Sequence, residues 1–218
     1  MSASEVKDHP MNIMFSGTPA YGHLLPLLSL ARAARHAGHT TAFLTHSALA
    51  DVVAPVPVLH AGPTLEEVFS EVHRRIGVDA AADMSPATAA EFFGGARVDL
   101  GADEALKAAA AFAPDLIVAE VADFRGPLAA AALDVPWVTH GVGIALEGSL
   151  AEAMQTAAAS RMSARGITPT QALASVDPWP DCLQRDTWEP ALHRITLRPE
   201  AHDTEGVAEW SPPEFPRS

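Results

Sequence analysis

The stretch Asn12-Ile13-Met14-Phe15-Ser16-Gly17-Thr18-Pro19-Ala20-Tyr21-Gly22-His23-Leu24-Leu25-Pro26-Leu27-Leu28 decides the fold. Its first four residues form a short apolar run, and Ser16-Gly17-Thr18-Pro19 supplies turn chemistry, which together read as a buried strand and its end. From Leu24 onward Leu27, Leu28, Leu30, Ala31 and Ala34 recur at helical spacing, and Gly38 stands where a helix stops. Thr40 to Thr45 is rich in β-formers and reads as a second strand. The opening is therefore a βαβ unit, which crosses over right-handed into a parallel sheet.

The pattern continues outward. Val56-Pro57-Val58-Leu59 reads as a weaker third strand confined by prolines to an edge or an end. Thr64-x-x-Glu67 opens an amphipathic helix running to Ile76 with a capping box. Residues 79–95 mix alanines with Met84, Phe92 and Phe93 and are expected to break at Gly94-Gly95, before a helix from Ala102 to Phe112. Asp115 to Ala119 is a strand, Gly126 to Ala132 a helix, and Val135 to Thr139 another strand. Such alternation predicts an α/β fold, a Rossmann-like doubly wound parallel sheet. Further helices are expected over Glu147–Ala164 and Thr168–Ala174, and beyond Val176 the prolines leave room only for short elements such as Ile195-Thr196-Leu197. Residues 1–10 are expected to be a disordered leader, 11–200 the domain, and 201–218 a linker.

Composition narrows the function. Hydrophobic residues make up 48% and charged residues 19% of the 218, which is globular composition. With 14 Lys and Arg against 27 acids the formal charge is −13, so a surface that binds nucleic acid by neutralising phosphates is excluded. A single cysteine, Cys182, excludes an intrachain disulfide and fits a cytoplasmic location. No run reaches the roughly 18 apolar residues of a membrane span. His36, His39, His46, His60, His73, His193 and His202 lack metal-ligand spacing, so no metal site is expected.

The first strand-to-helix loop lacks the Gly-x-Gly-x-x-Gly pattern that would cradle a pyrophosphate. His23 stands there instead, at the sheet edge where open α/β folds bind ligands. An imidazole with an ordinary pKa near ~6.5 can be neutral and accept a proton at working pH.

Phe15-Ser16-Gly17, Gly22-His23-Leu24-Leu25-Pro26-Leu27-Leu28 and Ala37-Gly38-His39 resemble the opening of GT-B glycosyltransferases that decorate natural products, above all actinobacterial enzymes acting on polyketide and enediyne aglycones. Further likenesses are Ala113-Pro114-Asp115-Leu116-Ile117-Val118, Gly126-Pro127-Leu128-Ala129-Ala130, Val135-Pro136-Trp137-Val138-Thr139-His140-Gly141 and Leu197-Arg198-Pro199. The resemblance implies the N-terminal, acceptor-binding half of a GT-B fold in an inverting enzyme. It makes His23 the general base and an acid after the fourth strand its orienter, where Glu120 replaces the family's usual aspartate and Asp123 follows three residues beyond; either acid could reach His23 or be simply solvated, and Glu120 is preferred because it ends the strand directly. Acceptor contacts are expected from Tyr21, Met84, Phe92, Phe93, Asp123, Phe124, His140 and Gly141.

The resemblance further implies that the donor, a nucleotide-diphosphate sugar, is held by a second domain or subunit and not by this chain, which carries no cofactor of its own and is expected to be inactive alone. A hydrophobic aglycone and a second copy of the chain are the other expected partners. The alternatives are a non-catalytic aglycone-binding helper protein and the acceptor subunit of a two-chain enzyme.

Overall fold

The structure, a computed structural model, describes residues 9–189 and 193–198. Seven parallel strands form one sheet in the order β3-β2-β1-β4-β5-β6-β7. They are β1 (Asn12–Ser16), β2 (Thr40–Thr45), β3 (Val58–His60), β4 (Leu116–Glu120), β5 (Trp137–His140), β6 (Ser175–Asp177) and β7 (Arg194–Thr196). The order reverses between β1 and β4, so the loops leaving these two strands diverge and open a crevice at the carboxyl edge of the sheet.

Helix α1 (Tyr21–His36) covers one face of the sheet, packing Leu24, Leu27, Leu28 and Ala31 against Ile13, Phe15, Phe43 and Val118. Short α2 (Ala50–Val53) adds Val53 to this cluster. The opposite face is covered by α5 (Arg97–Phe112) and α6 (Arg125–Leu133), whose alanines lie against Met14, Leu44 and Ile117. Because strand neighbours point to opposite faces, Leu116 and Val118 meet α1 while Ile117 meets α5 and α6. The edge placement of β3 and the capping box at Thr64 and Glu67 opening α3 (Leu65–Ile76) agree with the sequence.

Two sequence expectations fail. The chain does not break at Gly94-Gly95: after α4 (Pro86–Ala89) a π-helical turn, Ala90–Ala96, runs straight into α5, which begins at Arg97 rather than Ala102. A Cβ on Gly94 would lie 2.4 Å from the Met154 carbonyl oxygen and 2.9 Å from the Ala158 nitrogen of α7 (Gly148–Ala164). Gly94 is there for close helix packing and not for a turn, and a Cβ on Gly95 would meet the Glu91 carboxylate at 2.8 Å. Nor does Thr168–Ala174 form a helix. Leu173 donates its N–H to Trp137 and Thr139 donates to Ala174, and this extended pairing along β5 outweighs the helix-start signal of Pro169. Most of the leader expected over 1–10 and the whole tail expected over 201–218 lie outside the described residues.

Candidate active site

The site is built at the point where the strand order reverses. Glu120 ends β4, an even number of steps from Leu116 and Val118, so its side chain projects on the α1 side of the sheet. The loop after β1 presses onto it: a Cβ on Gly17 would meet Leu24 Cδ2 at 2.7 Å and Glu120 Cγ at 3.5 Å, so only glycine fits. His23, in the first turn of α1, then brings Nδ1 to 3.1 Å from Glu120 Oε1. The approach is a charge contact not aligned with the ring N–H. Nδ1 is buried, yet 26% of the side chain remains exposed, so the open part of the ring is the edge carrying Nε2.

Glu120 itself is 1% exposed. Its Oε1 accepts from the Thr18 N–H at 3.2 Å and the Thr18 hydroxyl at 2.6 Å, and its Oε2 accepts from the Ala122 N–H at 2.7 Å. Burial pushes its pKa up, but the facing His23 and the Thr18 hydroxyl outweigh burial and hold the carboxyl below the usual range. A buried carboxylate that stays ionised favours a positive charge on a facing imidazole.

Asp123 has a different setting. It is fully buried, and Oδ1 accepts from Arg97 Nη2 at 3.0 Å and Arg125 Nε at 3.1 Å, while Oδ2 accepts from the Gly126 N–H at 3.2 Å and from the Ser16 hydroxyl. Burial opposes its ionisation, but Arg125 and Arg97 hold its pKa down to about 2. Both arginines are 1% exposed. Burial, then the neighbouring Arg125, lowers Arg97 to about 10, which still leaves it charged at neutral pH. Asp123 is thus committed to two buried cations and is not available to an acceptor.

The remaining expected contacts divide by position. Phe93 joins the site, its ring 6.0 Å from that of His23 and 4.8 Å from that of Phe92. Phe92 does not; it is 2% exposed in a core with Phe69, Val68 and Val72. Phe124 is packed in a core cluster with Leu128 and Met154, and Met84 is exposed in the segment before α4. His140 lies opposite Glu120 in the strand register and is fully buried, its Nδ1 2.6 Å from the Gly141 carbonyl oxygen. Burial lowers its pKa, and its Nε2 has no partner among the described residues. Two cavities open at the same sheet edge. One, of about 590 Å³, is lined by Tyr21, Leu25, Pro26, Val142, Trp179 and Leu183. The other, of about 260 Å³, includes Gly141, Ile144, Gln184 and Arg194.

Sequence reading missed Ser16, Thr18, Arg97 and Arg125. The available signal was an arginine amid small apolar residues, Gly94-Gly95-Ala96-Arg97-Val98 and Ala122 to Ala132, in a chain with only 14 basic residues. Such an arginine is buried only when something pairs it. Among the described residues no group of His, Cys, Asp and Glu could hold a metal ion, and no helix is long and apolar enough to cross a membrane.

Residues 32–199 match the family model described as erythromycin biosynthesis protein CIII-like, N-terminal domain. The matched span includes Arg97, Glu120, Asp123 and His140 and begins beyond His23. The chain is 30% identical over 179 residues to the L-demethylnoviosyl transferase of Streptomyces niveus, covering 80% of this chain and 46% of that protein. Among solved structures, the glycosyltransferase SsfS6 of Streptomyces sp. SF2575 superposes with a TM-score of 0.75 at 25% identity, over 90% of this chain and 56% of that one. SsfS6 has also been solved complexed with thymidine diphosphate. SnogD of Streptomyces nogalater shares the fold, with a TM-score of 0.74 at 23% identity, over 92% of this chain and 55% of its own. The chain spans about half the length of the proteins it matches. It belongs to the erythromycin biosynthesis protein CIII-like N-terminal domain family, the N-terminal domain of GT-B glycosyltransferases of natural-product biosynthesis.

Proposed function

We propose that this chain is the acceptor-binding domain of an inverting glycosyltransferase in which His23 is the general base and Glu120 its orienter. The observation that carries the reading is an imidazole with one nitrogen buried 3.1 Å from a buried carboxylate and the opposite edge open. With Glu120 ionised, Nδ1 keeps its hydrogen and Nε2 presents a lone pair. An acceptor hydroxyl gives its proton to Nε2 as its oxygen bonds to the anomeric carbon, and the nucleotide diphosphate leaves from the opposite side, inverting that centre. Glu120 then faces the imidazolium and stabilises the charge that has formed on it.

The cavities beside the loop, with Tyr21 and Trp179 on one wall, suit a largely apolar aglycone. The donor is a nucleotide-diphosphate sugar held outside this chain, consistent with the thymidine diphosphate in the SsfS6 complex. Without donor contacts, charge developing on the leaving diphosphate goes unstabilised, so the chain alone transfers sugar negligibly.

The test is turnover in a protein that joins this chain to a donor-binding half, with a deoxythymidine-diphosphate sugar and hydrophobic phenols. His23→Ala is expected to lower the rate by ~10²-fold or more with the fold intact. An unchanged rate removes the base from His23.

A further inference from the structure

Arg97 donates to Thr18, Ala122 and Asp123 rather than to His23 or Glu120, yet those two are joined to it through one hydroxyl. Arg97 Nη1 donates to Thr18 Oγ1 at 2.6 Å, and Thr18 Oγ1 lies 2.6 Å from Glu120 Oε1, itself 3.1 Å from His23 Nδ1. Donor and acceptor inventories leave one way to place the protons. Guanidinium only donates, so Thr18 Oγ1 accepts from Arg97, and its single hydrogen must go to Glu120. The Thr18 and Ala122 N–H groups also only donate, so Glu120 meets donors at both oxygens. A neutral carboxyl would have no acceptor for its own proton other than His23 Nδ1.

The geometry points to Arg97 and Thr18 as positioning residues: by orienting the Thr18 hydroxyl they keep Glu120 an acceptor, and this fixes the hydrogen of neutral His23 on Nδ1 and leaves Nε2 free. The π-helical turn supports the assignment. It ends with the Arg97 N–H bonded to the Phe92 carbonyl, five residues back, and it brings Phe93 against His23 and the Arg97 side chain under Thr18 together. The titratable and charged groups around Glu120 are His23 of α1, Asp123 after β4, Arg97 of α5, Arg125 of α6 and His140 of β5. Of the two arginines only Arg97 donates to Thr18; Arg125 donates to Asp123 and to the Ala61 and Gly17 carbonyls.

The catalytic meaning of this relay rests on His23 being the base, but its test does not. Nitrogen-15 NMR of the histidine-labelled chain, free of substrate, reads the tautomer of His23. The wild type is expected to hold the hydrogen on Nδ1. Thr18→Val is expected to populate the Nε2–H tautomer. Thr18→Ser, which keeps the hydroxyl, is expected to match the wild type. If valine is not accommodated, Thr18→Ala makes the same deletion with less bulk. A wild-type tautomer in the variant lacking the hydroxyl would overturn the relay, as would a change in Thr18→Ser as large as in Thr18→Val. A normal tautomer response with unaltered turnover in His23→Ala would keep the relay and reject the base.

Discussion

Replacing Asp123 with asparagine isolates the buried ion cluster without changing its volume. In the native chain Asp123 takes Arg97 Nη2 and Arg125 Nε on one oxygen and the Gly126 N–H and Ser16 hydroxyl on the other. Asparagine offers one oxygen. If it faces the arginines, its NH₂ meets the Gly126 N–H, and if it turns round, it meets two guanidinium groups. The buried charge also changes, from two cations and two anions to two cations facing Glu120 alone. Breaking a buried pair by removing one partner costs about 3–5 kcal/mol. At about 2–4 °C per kcal/mol for a chain of this size, the melting point should fall by about 6–20 °C. Thermal and urea unfolding followed by circular dichroism measure the melting point and the free energy, and Arg74→Ala is the control, since Arg74 is 69% exposed in its pair with Glu71 and should leave both near wild type. An Asp123→Asn chain within ~1 kcal/mol of wild type would refute the claim that this cluster is bound by charge.

Glu120→Gln should cut turnover of the complete enzyme by ~10²-fold, since an amide NH₂ turned to Nδ1 would favour the wrong tautomer; a pH–rate profile identical to wild type would remove its orienting role. Gly94→Ala should cost about 1–3 kcal/mol, because the added Cβ meets α7 backbone at 2.4 Å, whereas Gly22→Ala, with nothing within 4 Å, should be tolerated; equal melting points would refute the packing argument. Acid should weaken the fold in two stages. His140 is depressed by burial, so stability falls as pH drops below its ordinary value of 6.5, and Glu120 and Asp123 are depressed too, so their contribution is complete above ~5 and, for Asp123, lost as pH falls through about 2. Urea midpoints from pH 8 to pH 3 test this, and a midpoint that is flat from pH 7.5 to 5.5 would contradict the His140 stage.

The sequence by itself determined the parallel sheet, because strand and helix periodicities are local and the βαβ crossover has one hand. It also put His23 at the carboxyl edge, since the residue after a β1 turn has nowhere else to go. It favoured Glu120 over Asp123, three residues further on, only because Glu120 ends the strand directly. That choice depends on what each side chain meets across the sheet: Glu120 shares the α1 side with His23, while Asp123 is taken by Arg97 and Arg125. The two glycines at 94 and 95 misled for the same reason. Locally they signal a break, and only the approach of α7 to Gly94 and of the Glu91 side chain to Gly95 makes them contact residues in a continuous helix. Sheet and helix follow from the order of residues along the chain, whereas the pairing of buried charges is set by which elements the sheet brings side by side.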